Sequence, residues 1–372
     1  MTGAREDATE ERTGPVAVYT DVVDTDPAPG VEVLEEAGFT VRFARSAAPA
    51  DIVDAAADAE ALLLGYARVD GALLDALPEV RIVATQSAGY DMVDLDACRE
   101  RGVWVSNVPG AATEEVASHA LAMTLALLRG LHLLDRDVRA GVWDGTRHEL
   151  RRLSEVTVGV VGLGRIGRRY AGFVRPLVGR VLGHDPAVSA VPGVELTDLD
   201  DLLARSDVVS LHLPLSDATR GLLDARRLGL MREGAALVNV SRAGLVDHRA
   251  LLRLLDEGRL SGAALDVLPR EPPEPDDPLV GHPRVLVTPH AAYLSAASSV
   301  DYVLEQARNV AQWRARGRPV SVVVEGRPAA RGRHPGGCWT GQSPSDNLTK
   351  TATRGENGCH DRASEPSAGN RS

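Results

Sequence analysis

The sequence predicts an α/β protein with two doubly wound, parallel-sheet domains. Short apolar runs alternate with helix-like stretches through most of the 372 residues, as in parallel sheets covered by helices. The hydrophobic content of 44% is enough for a large core in a chain long enough for two domains. A glycine-rich turn at 162–167 joins an apolar, β-branched run to a stretch that can form a helix.

The first half of the chain supplies the first alternating series. Helical spacing occurs at 31–38, which ends on a glycine typical of a helix C-cap, and again at 69–77. The apolar runs are the predicted strands, at 16–20, 40–44, 59–65, 80–85 and 103–107. Because strands and helices alternate, we expect these strands to form a parallel sheet. Residues 1–14 are polar and charged, and we expect a disordered lead there.

A long apolar stretch then leads into the second series. From Ala111 to Arg139 the pattern predicts one long helix, apolar on more than one face and therefore buried between domains or subunits. Helical stretches separate six further predicted strands, at 157–161, 181–184, 208–212, 236–240, 263–267 and 285–288. After Ser295 a second long helix is predicted. The six strands predict a doubly wound sheet with the glycine turn after its first strand.

Composition excludes several classes of protein. The net charge of −11 argues against wholesale binding of nucleic acid or of anionic membranes. No apolar run reaches the length of about 18 residues that a membrane span needs, and the N-terminus lacks the apolar core of a signal peptide. Three cysteines without a C-x-x-C motif indicate a reduced, cytoplasmic protein without a disulfide framework. The single lysine, Lys350, excludes a catalytic lysine from the folded part.

The C-terminal region has a different composition. From 325 to 372 the chain is rich in Gly, Ser, Pro and Arg, and we expect it to be disordered. Its histidines and cysteines fit no common metal spacing, so no metal site is expected at His334, Cys338, Cys359 and His360.

The glycine turn has the spacing of a Rossmann-like dinucleotide cradle. Gly162 permits the turn, Gly164 lets the backbone approach a pyrophosphate, and Gly167 lets the helix pack on the strand. The helix N-terminus then faces the anion. Asp185 follows the next apolar run and can accept hydrogen bonds from the adenosine ribose. Because this carboxylate would repel a 2′-phosphate and no arginine follows at 186 or 187, NAD is the expected cofactor.

Three polar residues stand where later apolar strands end. Arg242 is suited to bind a carboxylate, and His290 is suited to exchange a proton with a carbonyl oxygen near neutral pH. Glu271 can orient the histidine and favour its charged form. Singly, each has an ordinary explanation: a surface charge, a turn residue, or part of an acidic loop. Together, after a dinucleotide cradle, they predict hydride transfer to a 2-keto acid.

At this point the sequence resembles the D-isomer-specific 2-hydroxyacid dehydrogenases, over about 15–324. The resemblance is carried by the motifs G-L-G-R-I-G, N-V-S-R-A-G-L-V-D, A-A-L-D-V-L-P-R-E-P and T-P-H-A-A-Y. It implies that Arg242, Glu271 and His290 are catalytic. It also implies an NAD-binding domain at 109–293, inserted in a substrate domain made of 15–108 and 294–324. The long helix at 111–139 would form a homodimer.

The same resemblance implies the ligand contacts. The backbone of Ala88 and Gly89 would hold the substrate carboxylate. Tyr293 is expected at the mouth of the pocket, with packing against the interdomain helix as the alternative, and Tyr66 is a second candidate for the mouth. Asp266 would contact the nicotinamide carboxamide. The full set of expected cofactor-binding residues is Gly162, Leu163, Gly164, Arg165, Ile166, Gly167, Asp185, Leu213, Pro214, Val240, Ser241 and Asp266.

Within the family, two features look like the C-terminal-binding-protein branch: the aromatic residue Tyr293 in P-H-A-A-Y, and the loop at 107–115. This leaves an alternative, an NADH-sensing, dimeric, corepressor-like binding protein with residual dehydrogenase activity. A third possibility, phosphite oxidation, would need additional basic residues at the pocket. The resemblance does not name the 2-hydroxy acid.

Overall fold

The computed structural model describes residues 14–22 and 24–327. Most of the expected lead and tail, at 1–13 and 328–372, lies outside the described residues, as do His334, Cys338, Cys359 and His360. The fold is of the class that the sequence predicts: two parallel sheets, each with helices packed against it.

The first sheet has five parallel strands in the order β2-β1-β3-β4-β5. The strands are β1 Val16–Tyr19, β2 Thr40–Phe43, β3 Ala59–Leu64, β4 Ile82–Thr85 and β5 Trp104–Ser106. The helices between them are α1 Ala28–Glu36, α2 Pro49–Ala56, α3 Gly71–Ala76 and α4 Leu95–Arg101. All five predicted strands are present. Consecutive residues such as Leu62 and Leu63 are fully buried on opposite faces, which explains the unbroken apolar runs.

The expectation of one helix from 111 to 139 is wrong. Two helices, α5 Thr113–Leu128 and α6 Leu131–Arg139, meet at a bend of 61°. Gly130 lies between them with φ of +58°, a left-handed conformation that ends a helix and that glycine adopts without steric cost. No described helix has by itself the length and apolarity to cross a membrane; the bent pair reaches the threshold when both halves are combined, on length and composition alone.

The second sheet has seven parallel strands in the order β12-β11-β10-β9-β6-β7-β8. They are β6 Thr157–Val161, β7 Arg180–His184, β8 Glu195–Leu196, β9 Val208–Leu211, β10 Ala235–Asn239, β11 Leu260–Leu265 and β12 Val285–Val287. Its helices are α7 Arg165–Val174, α8 Leu199–Arg205, α9 Ala225–Leu230, α10 His248–Asp256 and α11 Pro278–Gly281, with 3-10 turns at Leu153–Glu155 and Ala243–Leu245.

The prediction of six strands in this sheet missed β8, whose two residues at the edge are too short to form a pattern. The strand order reverses between β6 and β9, which lie side by side although β7 and β8 come between them in sequence. Ligands of doubly wound sheets bind outside the carboxyl ends of the strands at such a reversal. The glycine turn follows β6 and therefore lies at this point.

The last helix, α12 Ala296–Arg316, returns to the first sheet. Ser295 caps it by accepting a hydrogen bond from the backbone N–H of Ser298 at 3.0 Å. The Gln306 amide donates to the carbonyl oxygens of Leu64 and Ala84, at 3.0 and 2.8 Å, and so bridges β3 and β4. The chain thus crosses from the first sheet to the second and back. The domain boundaries expected at 108/109 and 293/294 stay predictions.

Candidate active site

The glycine turn between β6 and α7 is tightly packed on two sides and open on the third. Gly162 has φ of +90°, and a Cβ on it would lie 2.7 Å from the carbonyl carbon of His212. A Cβ on Gly167 would overlap the carbonyl oxygen of Gly162. Around Gly164, no described atom lies within 4 Å of where a Cβ would be. The glycines therefore fit close packing of helix on strand, with an open face at the helix N-terminus.

The Asp185 carboxylate stabilises this turn through hydrogen bonds. It follows β7 and accepts hydrogen bonds from the backbone N–H of Leu163 at 2.8 Å and of Ala187 at 2.9 Å. As the N-cap of α7, Gly164 has no side chain to accept from the first-turn amides. Donors at a helix N-terminus beside a fixed carboxylate suit a dinucleotide, with its pyrophosphate at the amides and a ribose at the acid.

The other expected cofactor-binding residues surround the cradle. Leu213 and Pro214 follow β9, and the Leu213 Cβ lies 3.1 Å from where a Gly162 Cβ would be. Val240 and Ser241 follow β10, and the Ser241 hydroxyl donates to the carbonyl oxygen of Leu211 at 2.8 Å. Leu163 is buried, Ile166 is partly buried, and the Arg165 guanidinium donates to the carbonyl oxygen of Pro109 at 3.5 Å.

His290 and Glu271 form a hydrogen-bonded pair, with 2.7 Å between His290 Nδ1 and Glu271 Oε2. The other carboxylate oxygen, Oε1, accepts from the backbone N–H of Leu268 at 2.9 Å. Burial raises the pKa of Glu271, but the hydrogen bonds from His290 and Leu268 outweigh it and leave that pKa below its usual range. The carboxylate is therefore ionised near neutral pH and holds the imidazole by one nitrogen.

The backbone around His290 is fixed from below by Asp266. This carboxylate is 1% exposed and accepts from the Thr288 hydroxyl at 2.6 Å and from the N–H groups of Ala291 and Ala292 at 2.9 and 3.0 Å. His290 itself has φ of +52°, which is uncommon for a residue other than glycine. The expected contact of Asp266 with nicotinamide stays a prediction, because in this structure the carboxylate binds the chain's own loop.

Arg242 spans the cleft between the two sheets. It follows β10, and its Nε donates to Asp91 Oδ1 at 3.0 Å, in the loop after β4. Its Nη1 donates to the carbonyl oxygen of Ser241 at 2.9 Å. Nη2 lies so close to Gly89 that a Cβ there would overlap it. Asp91 was not selected from the sequence. It could have been found from its position in the loop that carries the expected substrate-binding residues Ala88 and Gly89.

The two expected pocket-mouth tyrosines meet each other. Their hydroxyl oxygens are 3.1 Å apart, although Tyr66 follows β3 and Tyr293 follows β12. Both also hydrogen-bond to Asp24, a residue that no sequence motif had singled out. The rings of His290 and Tyr293 pack edge to face at 6.3 Å. Ala88 lies in the loop after β4, and its carbonyl oxygen accepts a hydrogen bond from the Asn107 side-chain amide at 2.8 Å.

A cavity of about 450 Å³ lies beside the histidine–glutamate pair. Its walls include Leu268, Glu271, Val287, Thr288 and His290. This volume is within the range of about 300–1,000 Å³ typical of small-molecule sites. Among the residues at 14–22 and 24–327, no group of three or more His, Cys, Asp or Glu side chains is arranged to hold a metal ion.

Comparison with known proteins agrees with this geometry. Residues 121–292 match the model of the D-isomer specific 2-hydroxyacid dehydrogenase, NAD binding domain. A glyoxylate reductase from Thermofilum pendens is 34% identical over 279 residues, covering 72% of this chain and 82% of that protein. A D-3-phosphoglycerate dehydrogenase from Archaeoglobus fulgidus is 33% identical over 299 residues, which cover 79% of this chain and 56% of the relative, so the chain spans little more than half of that protein.

Among solved structures, an acyclic imino acid reductase in complex with NADPH and D-Arg superposes with a TM-score of 0.77 at 25% identity. The match covers 83% of this chain and all of the reductase. The matched family model is an NAD-binding domain and this neighbour holds NADPH, so the comparisons support a nicotinamide dinucleotide as the cofactor. On sequence, fold and relatives together, the chain belongs to the D-isomer specific 2-hydroxyacid dehydrogenase family of NAD(P)-dependent oxidoreductases that act on CH–OH groups.

Proposed function

We propose that the chain interconverts a small 2-keto acid and the corresponding D-2-hydroxy acid with NAD(H). The observation that carries this proposal is the hydrogen-bonded pair of His290 and Glu271, with Arg242 within electrostatic range, at the carboxyl ends of neighbouring strands. Arg242 lies near enough to Glu271 for its charge to lower the glutamate pKa. The three residues follow β10, β11 and β12, which are neighbours in the second sheet.

Arg242 is assigned to the substrate carboxylate. Its fork of donors matches a carboxylate in shape and charge. Because Asp91 and the carbonyl oxygen of Ser241 engage Nε and Nη1, the guanidinium plane is fixed before substrate arrives. The backbone N–H groups of Ala88 and Gly89 would complete the site from the opposite wall.

His290 is assigned to the proton. The nicotinamide, when bound, supplies the hydride in reduction and accepts it in oxidation. In reduction His290 gives a proton to the carbonyl oxygen as the C=O double bond becomes a single bond; in oxidation it removes that proton. Glu271 holds Nδ1 and balances the positive charge of the imidazolium, so that Nε2 faces the reaction.

For the cofactor we propose NAD rather than NADP. The Asp185 carboxylate is fixed beside the turn by the N–H groups of Leu163 and Ala187. A negative charge fixed there favours the ribose hydroxyls of NAD and opposes the 2′-phosphate of NADP. Pro186 and Ala187 follow it and provide no cation.

The test is the His290→Ala variant, assayed with NADH across 2-keto acids from glyoxylate to bulky aromatic ones. We expect turnover to fall about 10²- to 10⁴-fold, the usual contribution of a general acid, while NADH still binds. His148→Ala is the matched control, because His148 also pairs with a carboxylate, Asp137, at 2.8 Å. Normal turnover in His290→Ala would refute the proton-transfer role.

We also propose a homodimer formed through α6. No residue of this helix is buried in the single chain, and its Leu131 and Val138 are 57 and 50% exposed. Trp143, which follows the helix, is 90% exposed. Apolar surface of this kind is typical of an interface with a second copy. If NADH binds tightly but no keto acid is reduced, the alternative of an NADH-sensing, corepressor-like dimer is favoured. Membership of the C-terminal-binding-protein branch and a cytoplasmic location are likewise proposals.

A further inference from the structure

A carboxylate and two phenols form a cluster at the mouth of the cleft: Asp24, Tyr66 and Tyr293. The Tyr293 hydroxyl donates to Asp24 Oδ2 at 3.2 Å, and the Tyr66 hydroxyl lies 3.4 Å from the same oxygen. The three residues come from three separate loops, after β1, β3 and β12. We call this set the Asp24 cluster.

The loops that carry the cluster are held in place by further contacts. Asp21 accepts hydrogen bonds from the backbone N–H groups of Gly65, Tyr66 and Ala67, at 3.0, 2.5 and 3.2 Å. On the other side, the Tyr293 carbonyl accepts from the Ser298 hydroxyl at 2.6 Å. Both phenols are therefore positioned by the chain itself, which is what a site that discriminates between ligands requires.

The cluster lies next to the reacting groups. The Tyr293 ring packs against His290 with 6.3 Å between centroids, and Tyr66 lies within electrostatic range of Glu271. A substrate held by Arg242 at its carboxylate and by His290 at its carbonyl would direct its remote end toward the mouth. A two-carbon acid is too short to extend there, whereas a three-carbon acid brings its third carbon and substituent closer.

The cluster places one carboxylate, that of Asp24, at this mouth. Burial raises the pKa of both tyrosines, and the neighbouring Asp24 raises it further, so the phenols are protonated near neutral pH. Within the described residues no arginine or histidine forms an ion pair with Asp24, since its side-chain contacts there are the two phenols. Asp24 Oδ1 is engaged by neither phenol, whose bonds go to Oδ2.

We propose that the Asp24 cluster selects 2-keto acids whose remote end carries a hydrogen-bond donor, neutral or cationic, and rejects those ending in phosphate or carboxylate. This inference rests on the proposed function and deepens it. A remote donor would meet an acceptor at Asp24, whereas a remote anion would be placed against the Asp24 carboxylate. Specificity built by repulsion excludes a competitor that fits by shape.

The experiment compares glyoxylate, hydroxypyruvate and 3-phosphohydroxypyruvate with NADH in the parent chain and in Asp24→Asn. Asparagine keeps an acceptor for the phenols and tolerates the φ of +64° at this position, so the variant should fold. Asp58→Asn is the control for net charge: Asp58 precedes β3, at the opposite end of the strand from Tyr66, and its side chain is 61% exposed.

We expect kcat/KM for hydroxypyruvate to exceed that for the phosphorylated acid about 100-fold in the parent and to fall to within about tenfold in Asp24→Asn, a change of some 1.4 kcal/mol. In Asp58→Asn the ratio of kcat/KM for the two acids should stay at its parent value. An unchanged ratio in Asp24→Asn, or a parent that prefers the phosphorylated acid, would overturn the inference.

Failure of the proposed function is separately visible, as absence of glyoxylate reduction in every variant. In that case calorimetric titration of the NAD-loaded protein with D-glycerate and with D-3-phosphoglycerate still tests the cluster. Asp24→Asn should then tighten the phosphorylated acid about tenfold and leave glycerate unchanged; equal shifts for both acids would contradict the cluster's role.

Discussion

A methyl group at Gly89 should disable Arg242 without disturbing the fold. In Gly89→Ala the new Cβ would overlap Nη2 and would lie 3.0 Å from Cζ of Arg242 and 3.1 Å from Asp91 Oδ1. Carbon atoms pack at about 3.5–4.0 Å, so Cζ must retreat by roughly 0.5–1 Å and the overlapped Nη2 by more than about 1 Å. The displaced atoms belong to the flexible end of a side chain, and the free energy of unfolding should change by less than about 0.5 kcal/mol.

If Arg242 has the proposed role, the kinetic cost follows from the loss of a charged hydrogen bond to the substrate carboxylate. Such a bond contributes about 1.5–3 kcal/mol, and a misplacement of about 1 Å costs on the order of 100-fold. We therefore expect kcat/KM for glyoxylate to fall about 10- to 100-fold, while NADH affinity, measured by fluorescence titration, stays unchanged.

Gly172→Ala is the matched control, because Gly172 lies in α7 with no described atom within 4 Å of the added Cβ. It should keep its kcat/KM and gain about 0.5–1 kcal/mol of stability from the better helix former. If Gly89→Ala reduces keto acids as well as Gly172→Ala does, Arg242 is not held against this loop during turnover and the reasoning is wrong.

Two further predictions concern the cofactor and the acid. In Asp185→Ser the charge that opposes a 2′-phosphate is gone, so the ratio of kcat/KM with NADH to that with NADPH should fall about tenfold or more; an unchanged ratio would refute the NAD assignment. Glu271 has a lowered pKa in the fold, so its contribution to stability is present above the ordinary value of 4.5 and disappears as pH falls through the folded-state pKa. Denaturant unfolding should therefore lose less stability between pH 6 and about 3 in Glu271→Gln than in the parent; equal losses would contradict the linkage.

The sequence predicted the strands well because most of them are buried on both faces and read as continuous apolar runs. It also predicted the residues of the histidine–glutamate pair, since each follows such a run. The break at Gly130 was missed because the residues on both sides keep a helical pattern. Strand β8 was missed because two residues carry no period.

The partners of the site residues were beyond sequence reasoning for a different reason. Asp91 and Arg242 are 151 positions apart, and Asp24 and Tyr293 are 269 apart. No local pattern connects such residues; the contact exists because two sheets place their loops face to face. Asp266 shows the same limit, since the sequence places it at the end of a strand but cannot tell whether its carboxylate turns toward a ligand or toward its own loop.

The sequence separation between contacting site residues affects the order in which the site forms during folding. The bond between Asp185 and the glycine turn joins residues 22 positions apart, so nucleotide affinity can arise from one sheet alone. The hydrogen bond between Arg242 and Asp91 forms only after both sheets have folded and packed together, and closing so long a loop is slow. In a newly made chain we therefore expect the nucleotide-binding turn to form before the contact between Arg242 and Asp91.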